Sequence, residues 1–138
     1  MEFHMKAPPL PYSVLVVDDS AHSRILLLRL LQRSGLTKVD LAVNGADGIR
    51  RYKASKPDMV FLDAIMPEMD GLTALREIKH IDPEAIVVMI TSLSEKEKVL
   101  QFKDAGANYY LLKPFENDKF DQTLLKILAL LARRVKKE

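Results

Sequence analysis

The chain has 138 residues, of which 48% are hydrophobic and 29% are charged, and its formal net charge is +2. This balance fits one soluble globular domain with its own core and excludes a disordered or fibrous chain. The small charge implies no direct binding to nucleic acid, and the lack of cysteine excludes a disulfide scaffold, a zinc knuckle and a cysteine nucleophile. No apolar run could span a bilayer and no secretory signal is found, so we expect a cytoplasmic protein without membrane insertion.

Residues 1–11, MEFHMKAPPLP, are predicted to be an N-terminal extension, and residues 12–138 to form one domain. The letters EFHM can be read from two adjacent cloning sites, which would make the extension partly vector-derived and Met5 the native start. The fold is therefore built from residue 12 onward.

Five apolar runs rich in β-branched residues predict five strands. They cover residues 13–17, 39–43, 58–62, 85–90 and 109–112. The runs are nearly continuous rather than alternating, which is typical of strands covered on both faces.

Helical stretches follow each strand. They are predicted at 20–34, at 46–55 after the Asn44-Gly45 turn, at 71–81, from a Ser94/Glu97 capping box to about Gly106, and at about 117–136. Strict alternation of strands and helices predicts an α/β fold with a doubly wound parallel sheet. Such folds place their sites at the carboxyl ends of the strands.

Polar residues stand at the ends of four of the five predicted strands. They are Asp18, Asp19, Asp63, Thr91 and Lys113. Each also has a plain structural reading, since an aspartate can cap a helix, a threonine favours strands, and a lysine is usually a solvated charge. Their coincidence at one edge of the sheet favours a functional site.

The chemistry of this set points to phosphoryl transfer. Three close carboxylates repel one another unless a cation lies among them, and hard oxygen ligands suit Mg²⁺. Lys113 offers a positive charge and Thr91 a hydroxyl donor, and phosphoryl transfer depends mainly on positioning and charge neutralisation. Asp63, alone at a central strand end, is the best candidate nucleophile, whereas Asp18 and Asp19 are suited to hold metal.

The motifs VVDDS, DMVFLDAIMPEMDG, MITS and YYLLKPF, in this order, resemble a response-regulator receiver domain of the CheY-like family. The resemblance covers residues 13 to about 134. It implies a flavodoxin-like (βα)5 fold with strand order 2-1-3-4-5. It also implies that Asp63 accepts a phosphoryl group from a histidine kinase or phosphotransfer protein, and that Asp19, Asp63 and the carbonyl of Ile65 bind Mg²⁺, with Asp18 acting through water.

The same resemblance assigns roles to the ends of the last two strands. Thr91 and Lys113 would contact the phosphoryl oxygens, and the Lys113-Pro114 peptide would be cis. Tyr110 falls at the position of the family's switch aromatic. Phosphorylation would change the surface of the fourth helix, fifth strand and fifth helix, which would then bind a downstream target protein. The chain would be a switch rather than an enzyme, with only self-phosphotransfer and autodephosphorylation chemistry.

Three alternatives compete with this interpretation. The chain could be a receiver cut from a larger regulator with an output domain. A magnesium phosphatase of the haloacid-dehalogenase type would need an acid two residues after its nucleophile, where Ile65 stands, and that nucleophile would end the first strand rather than the third. An FMN carrier would need a phosphate-cradling loop where the chain reads DDSAHS.

Ile65 and Leu93, both aliphatic, predict slow loss of the phosphoryl group from Asp63.

Overall fold

The computed structural model describes residues 9–92 and 97–136. Five strands alternate with five helices along the chain. In order they are β1 (Leu10–Val17), α1 (Ala21–Arg33), β2 (Leu36–Ala42), α2 (Gly45–Ser55), β3 (Met59–Asp63), α3 (Gly71–Ile81), β4 (Val87–Ser92), α4 (Val99–Asp104), β5 (Tyr109–Lys113) and α5 (Asn117–Lys136).

The strands form one parallel sheet in the order β2-β1-β3-β4-β5. The predicted doubly wound α/β fold and its strand order are therefore confirmed. Because β1 and β3 are neighbours at the centre of the sheet, residues that end these two strands lie side by side.

The first strand begins earlier than the predicted Ser13. Leu10 pairs with Leu36, and its amide donates a hydrogen bond to the carbonyl of Gly35 at 2.9 Å. The register shifts between Leu10 and Ser13. Residues 10 and 11, which were predicted to belong to the N-terminal extension, are therefore part of β1. The predicted domain boundary at residue 12 stays a prediction.

The core has two layers, one on each face of the sheet. Side chains of α1 and α5 pack on one face, where Phe120 stacks on Phe61 of β3 with ring centroids 5.7 Å apart. Side chains of α2, α3 and α4 pack on the other, where Tyr52, Ile78 and Phe102 are almost fully buried. Each such side chain contributes about 1.5–3 kcal/mol of burial free energy, so both layers hold the strand ends in place.

Three helices, α1, α2 and α3, begin with side-chain caps in the loops that follow β1, β2 and β3. The Ser20 hydroxyl accepts from the Ser23 amide, the Asn44 side chain from the Asp47 amide, and Asp70 from the Thr73 amide. These caps satisfy amides that the helix itself leaves unpaired, and they fix the loops at the carboxyl edge of the sheet.

The fourth helix is shorter than predicted. It begins at Val99, and the predicted capping residue Ser94 lies outside the described residues. The helix ends before Gly106, which has a φ of +100° and so suits glycine. In the described part of the chain, no helix is both long enough and apolar enough to cross a membrane.

Candidate functional site

Three carboxylates meet at the carboxyl edge of the sheet. Asp18 and Asp19 follow β1 and Asp63 ends β3, and each offers an oxygen within 4.8 Å of the other two. Asp18 and Asp63 are buried, whereas Asp19 is exposed. Three hard oxygen donors with one side open to solvent fit a divalent cation that keeps part of its water.

Asp18 is held by bonds on both of its carboxylate oxygens. Oδ1 accepts a hydrogen bond from the Ser20 amide at 2.9 Å, and Oδ2 lies 3.4 Å from the Lys113 ammonium. The side chain is completely buried. Its charge is therefore balanced inside the protein by a cation and by a backbone dipole.

The negative charge of Asp63 is compensated less fully than that of Asp18. Its Oδ1 accepts from the Ile65 amide at 3.3 Å, and its Oδ2 lies 3.6 Å from the Lys113 ammonium. Burial, followed by the charge of Asp18, raises the pKa of Asp63 to about 6, although Lys113 and the Ile65 amide act in the opposite direction. A bound cation would favour the ionised carboxylate and so relieve this shift.

Lys113 lies close to both buried carboxylates, although it belongs to the edge strand β5. It ends β5, which is separated from β3 by β4. The peptide bond to Pro114 is cis, the isomer that the resemblance implies. One lysine therefore supplies positive charge to two strand ends.

Thr91 lies near the end of β4 and is buried. It follows Ile90, which pairs with Asp63 in the sheet. Its hydroxyl makes a long hydrogen bond of 3.5 Å to the carbonyl of Ser92. Thr91 is thus one residue beyond the partner of Asp63 in the sheet, and its hydroxyl is held by a weak bond that is easily exchanged.

The adjacent Tyr109 and Tyr110 pack on opposite faces of the sheet. Both are partly buried. The Tyr110 hydroxyl is buried and has no hydrogen-bond partner among the described residues. This position leaves an unsatisfied polar group next to β4.

The loop after β3 presents Ile65 to solvent, with 52% of its surface exposed. The structure shows its amide bonded to Asp63, while the metal-binding role of its carbonyl stays a prediction. Leu93, the other residue predicted to slow dephosphorylation, lies outside the described residues.

Sequence reasoning missed two residues that shape this site. A Cβ atom at Gly71 would lie 2.3 Å from the carbonyl oxygen of Asp63, so only glycine fits there. Arg24 of α1 donates a hydrogen bond of 2.8 Å to the carbonyl of Asp18. The Asp70-Gly71 pair at a helix start is a signal for the first, whereas one arginine among the several of the chain gives no signal for the second.

The comparisons with known proteins agree with this geometry. Residues 14–125 match the family described as the response regulator receiver domain. The chain is 38% identical to the chemotaxis protein CheY of Bacillus subtilis over 117 residues, which cover 85% of this chain and 98% of the relative.

Two solved structures are also similar. The receiver domain of NtrX from Brucella abortus has a TM-score of 0.79 and 30% identity, covering 85% of this chain and 98% of that one. A chain of the CheX-CheY-BeF3-Mg²⁺ complex from Borrelia burgdorferi has a TM-score of 0.81 and 32% identity, covering 86% of this chain and 90% of that one.

Proposed function

The chain belongs to the family of response regulator receiver domains, and on that premise we propose that it is a signalling switch activated by phosphorylation of Asp63. The position of Asp63 carries the proposal. Its carboxylate is buried in one cluster with Asp18 and Asp19, and the Lys113 ammonium lies 3.6 Å from its Oδ2. A nucleophilic oxygen beside a lysine cation, in a cluster of carboxylates suited to hold a metal ion, suits phosphoryl transfer.

The phosphoryl donor in this proposal is the phosphohistidine of a histidine kinase or of a phosphotransfer protein. An oxygen of Asp63 attacks phosphorus, the phosphorus–nitrogen bond breaks, and its electron pair passes to the imidazole nitrogen, which takes up a proton. The product is an aspartyl-phosphate. Hydrolysis later returns the carboxylate and inorganic phosphate, so the chain turns over no other substrate and acts as a switch.

The proposed cofactor is Mg²⁺, held by Asp19, Asp63 and the carbonyl of Ile65, with Asp18 acting through water. The clustering of the three carboxylates supports this assignment, as does the Mg²⁺ in the Borrelia burgdorferi complex. When bound, the ion would neutralise charge on the transferring oxygens. Lys113 is proposed to pair with one phosphoryl oxygen, a role that its present bonds to two carboxylates prepare.

The readout in this proposal is a two-state change on the face of α4, β5 and α5. A phosphoryl group adds a charge of about −1.5 to −2 and would attract the Thr91 hydroxyl, whose present bond is weak. Tyr110 would then turn into the space that Thr91 leaves. The unsatisfied Tyr110 hydroxyl supports this motion, because the side chain gives up no hydrogen bond to a described residue when it turns.

The partners that follow are a histidine kinase or phosphotransfer protein on one side and a downstream target protein on the α4, β5 and α5 face. We place the chain in the cytoplasm, with no direct contact to nucleic acid and no membrane insertion. A receiver that works as part of a larger regulator is the alternative, and it uses the same site. A phosphatase is disfavoured because the exposed Ile65 stands where its second acid is needed.

The test is to incubate the chain with acetyl phosphate and Mg²⁺ and to map the phosphorylated residue by mass spectrometry. We expect phosphate on Asp63 in the native chain, no incorporation in Asp63→Asn, and none in Asp19→Ala, which loses a metal ligand. Asp70→Asn is the matched control, because it changes a nearby carboxylate but keeps the helix cap, and it should be labelled normally. Phosphate on another residue, or normal labelling of Asp19→Ala, would contradict the proposal.

A further inference from the structure

The turn between β1 and α1 carries two of the three clustered carboxylates, and its backbone is held on both sides of Asp18. The Asp18 amide donates to the carbonyl of Ala42 at 3.2 Å, and the Asp18 carbonyl accepts from the Arg24 guanidinium at 2.8 Å. Because Asp18 is completely buried, its carbonyl needs a donor from the protein. Arg24 supplies that donor.

Arg24 is itself fixed in the first turn of α1. Its amide donates to the carbonyl of Ser20 at 3.0 Å, and Ser20 caps the same helix through its hydroxyl. The Arg24 side chain is partly buried and reaches from this ordered turn back to the strand end. The helix and the acidic turn are thereby joined through one residue.

The hydrogen bond acts on the peptide unit that links Asp18 to Asp19. The Asp18 carbonyl and the Asp19 nitrogen share one rigid plane, so a bond to this carbonyl restricts where the Asp19 Cα can lie. The Asp18 side chain has its own anchors in Ser20 and Lys113. The Asp19 side chain is exposed, so its direction towards Asp63 depends on the backbone.

We propose that Arg24 is a positioning residue for the metal-binding carboxylates, which acts by orienting Asp19 through the carbonyl of Asp18. The inference rests on the proposed function, because it takes Asp19 and Asp63 as ligands of Mg²⁺. The hydrogen bond and the charge of Arg24 have opposite effects on the affinity for Mg²⁺. Loss of orientation weakens Mg²⁺ binding, whereas removal of a nearby positive charge alone strengthens it.

This opposition makes the direction of the change diagnostic. Mg²⁺ alone is titrated into the full chain, without a phosphoryl donor, and the amide NMR shifts of the β1–α1 turn give the Kd. Arg24→Met keeps much of the side-chain length but removes the hydrogen-bond donors as well as the positive charge. We expect its Kd to rise about tenfold, the lower end of the range for groups that orient metal ligands. Arg24→Lys keeps the charge and a donor, so it should recover part of the loss.

Arg29→Met is the matched control, since Arg29 is an exposed arginine of the same helix. Its Kd should equal the native value or fall slightly. A Kd for Arg24→Met at or below the native value would overturn the inference and leave the proposed function standing. If Arg24→Met does not fold, Arg24→Lys decides: weaker binding than native supports the inference and unchanged binding overturns it. A native chain that binds no Mg²⁺ would overturn both proposals together.

Discussion

The Lys113 ammonium lies 3.6 Å from a carboxylate oxygen of Asp63, although the two residues end strands that are separated in the sheet by β4. This cation does not compensate fully for the surroundings of Asp63. Burial and the charge of Asp18 still raise the pKa of Asp63 to about 6, from an ordinary value of 3.8. The ionised site is therefore a source of instability when no cation is bound.

Asp63→Asn should stabilise the chain at neutral pH in the absence of Mg²⁺. Because the pKa of Asp63 is higher in the folded than in the unfolded state, the native carboxyl costs stability as pH rises through the interval from 3.8 to about 6. The variant should gain about 2 kcal/mol in unfolding free energy at pH 7 and little of that near pH 4. Urea denaturation at both pH values measures this.

Added Mg²⁺ provides the control for that measurement. Saturating Mg²⁺ should stabilise the native chain more than the variant, because the variant lacks one carboxylate ligand. If the unfolding free energy of Asp63→Asn exceeds that of the native chain equally at pH 4 and pH 7, the charge of the Asp63 carboxylate is not what lowers the stability.

Tyr110→Phe should stabilise the unphosphorylated chain by about 1 kcal/mol, because it removes a buried hydroxyl that has no described partner. Tyr52→Phe is the matched comparison. The Tyr52 hydroxyl donates to Asp82 at 3.0 Å, so its removal should cost about 1 kcal/mol. Thermal or urea unfolding of both variants gives the comparison. A loss of stability in Tyr110→Phe would mean that its hydroxyl is satisfied.

Gly71→Ala should destabilise the chain by about 2 kcal/mol and weaken Mg²⁺ binding, because the new methyl group would displace the backbone of Asp63 and Ala64. Gly45→Ala is the control at the first residue of α2. There the added Cβ meets the flexible Met69 side chain at 3.0 Å, so the loss should be smaller. Equal losses of stability and equal Kd values for Mg²⁺ in the two variants would contradict this account.

The phosphorylated form should be long-lived, because the exposed Ile65 and Leu93, which lies outside the described residues, are aliphatic and cannot hydrogen-bond an attacking water. Replacing Ile65 with Asn and Leu93 with Glu should speed phosphate release by about tenfold, since such groups can position that water. Release of inorganic phosphate after removal of the donor gives the rate. Ile65→Val keeps the aliphatic surface and should behave as native. A double variant no faster than native would mean that these side chains only pack.

The sequence by itself determined the fold and which polar residues stand at the ends of the strands. Alternating apolar runs and helical stretches imply parallel strands, and parallel strands bring their carboxyl ends to one edge. The five polar residues at those ends therefore share one place in the fold, and they are Asp18, Asp19, Asp63, Thr91 and Lys113. The structure places these residues at or next to the ends of their strands, because the backbone pattern alone decides where a strand ends. Their roles in a site stay a prediction.

Tertiary structure decided how these groups meet. Asp18 and Asp19 are adjacent in the sequence, but Asp18 is buried and Asp19 is exposed. Lys113 forms ion pairs with the carboxylates of Asp18 and Asp63. The bond from Arg24 to the Asp18 carbonyl is likewise invisible in the sequence, and the Asp70-Gly71 pair indicates a helix start but not the close approach of Gly71 to the Asp63 carbonyl. Strand order and periodicity locate a residue to a strand end, but ångström distances depend on how helices pack on the sheet and which rotamers that packing allows.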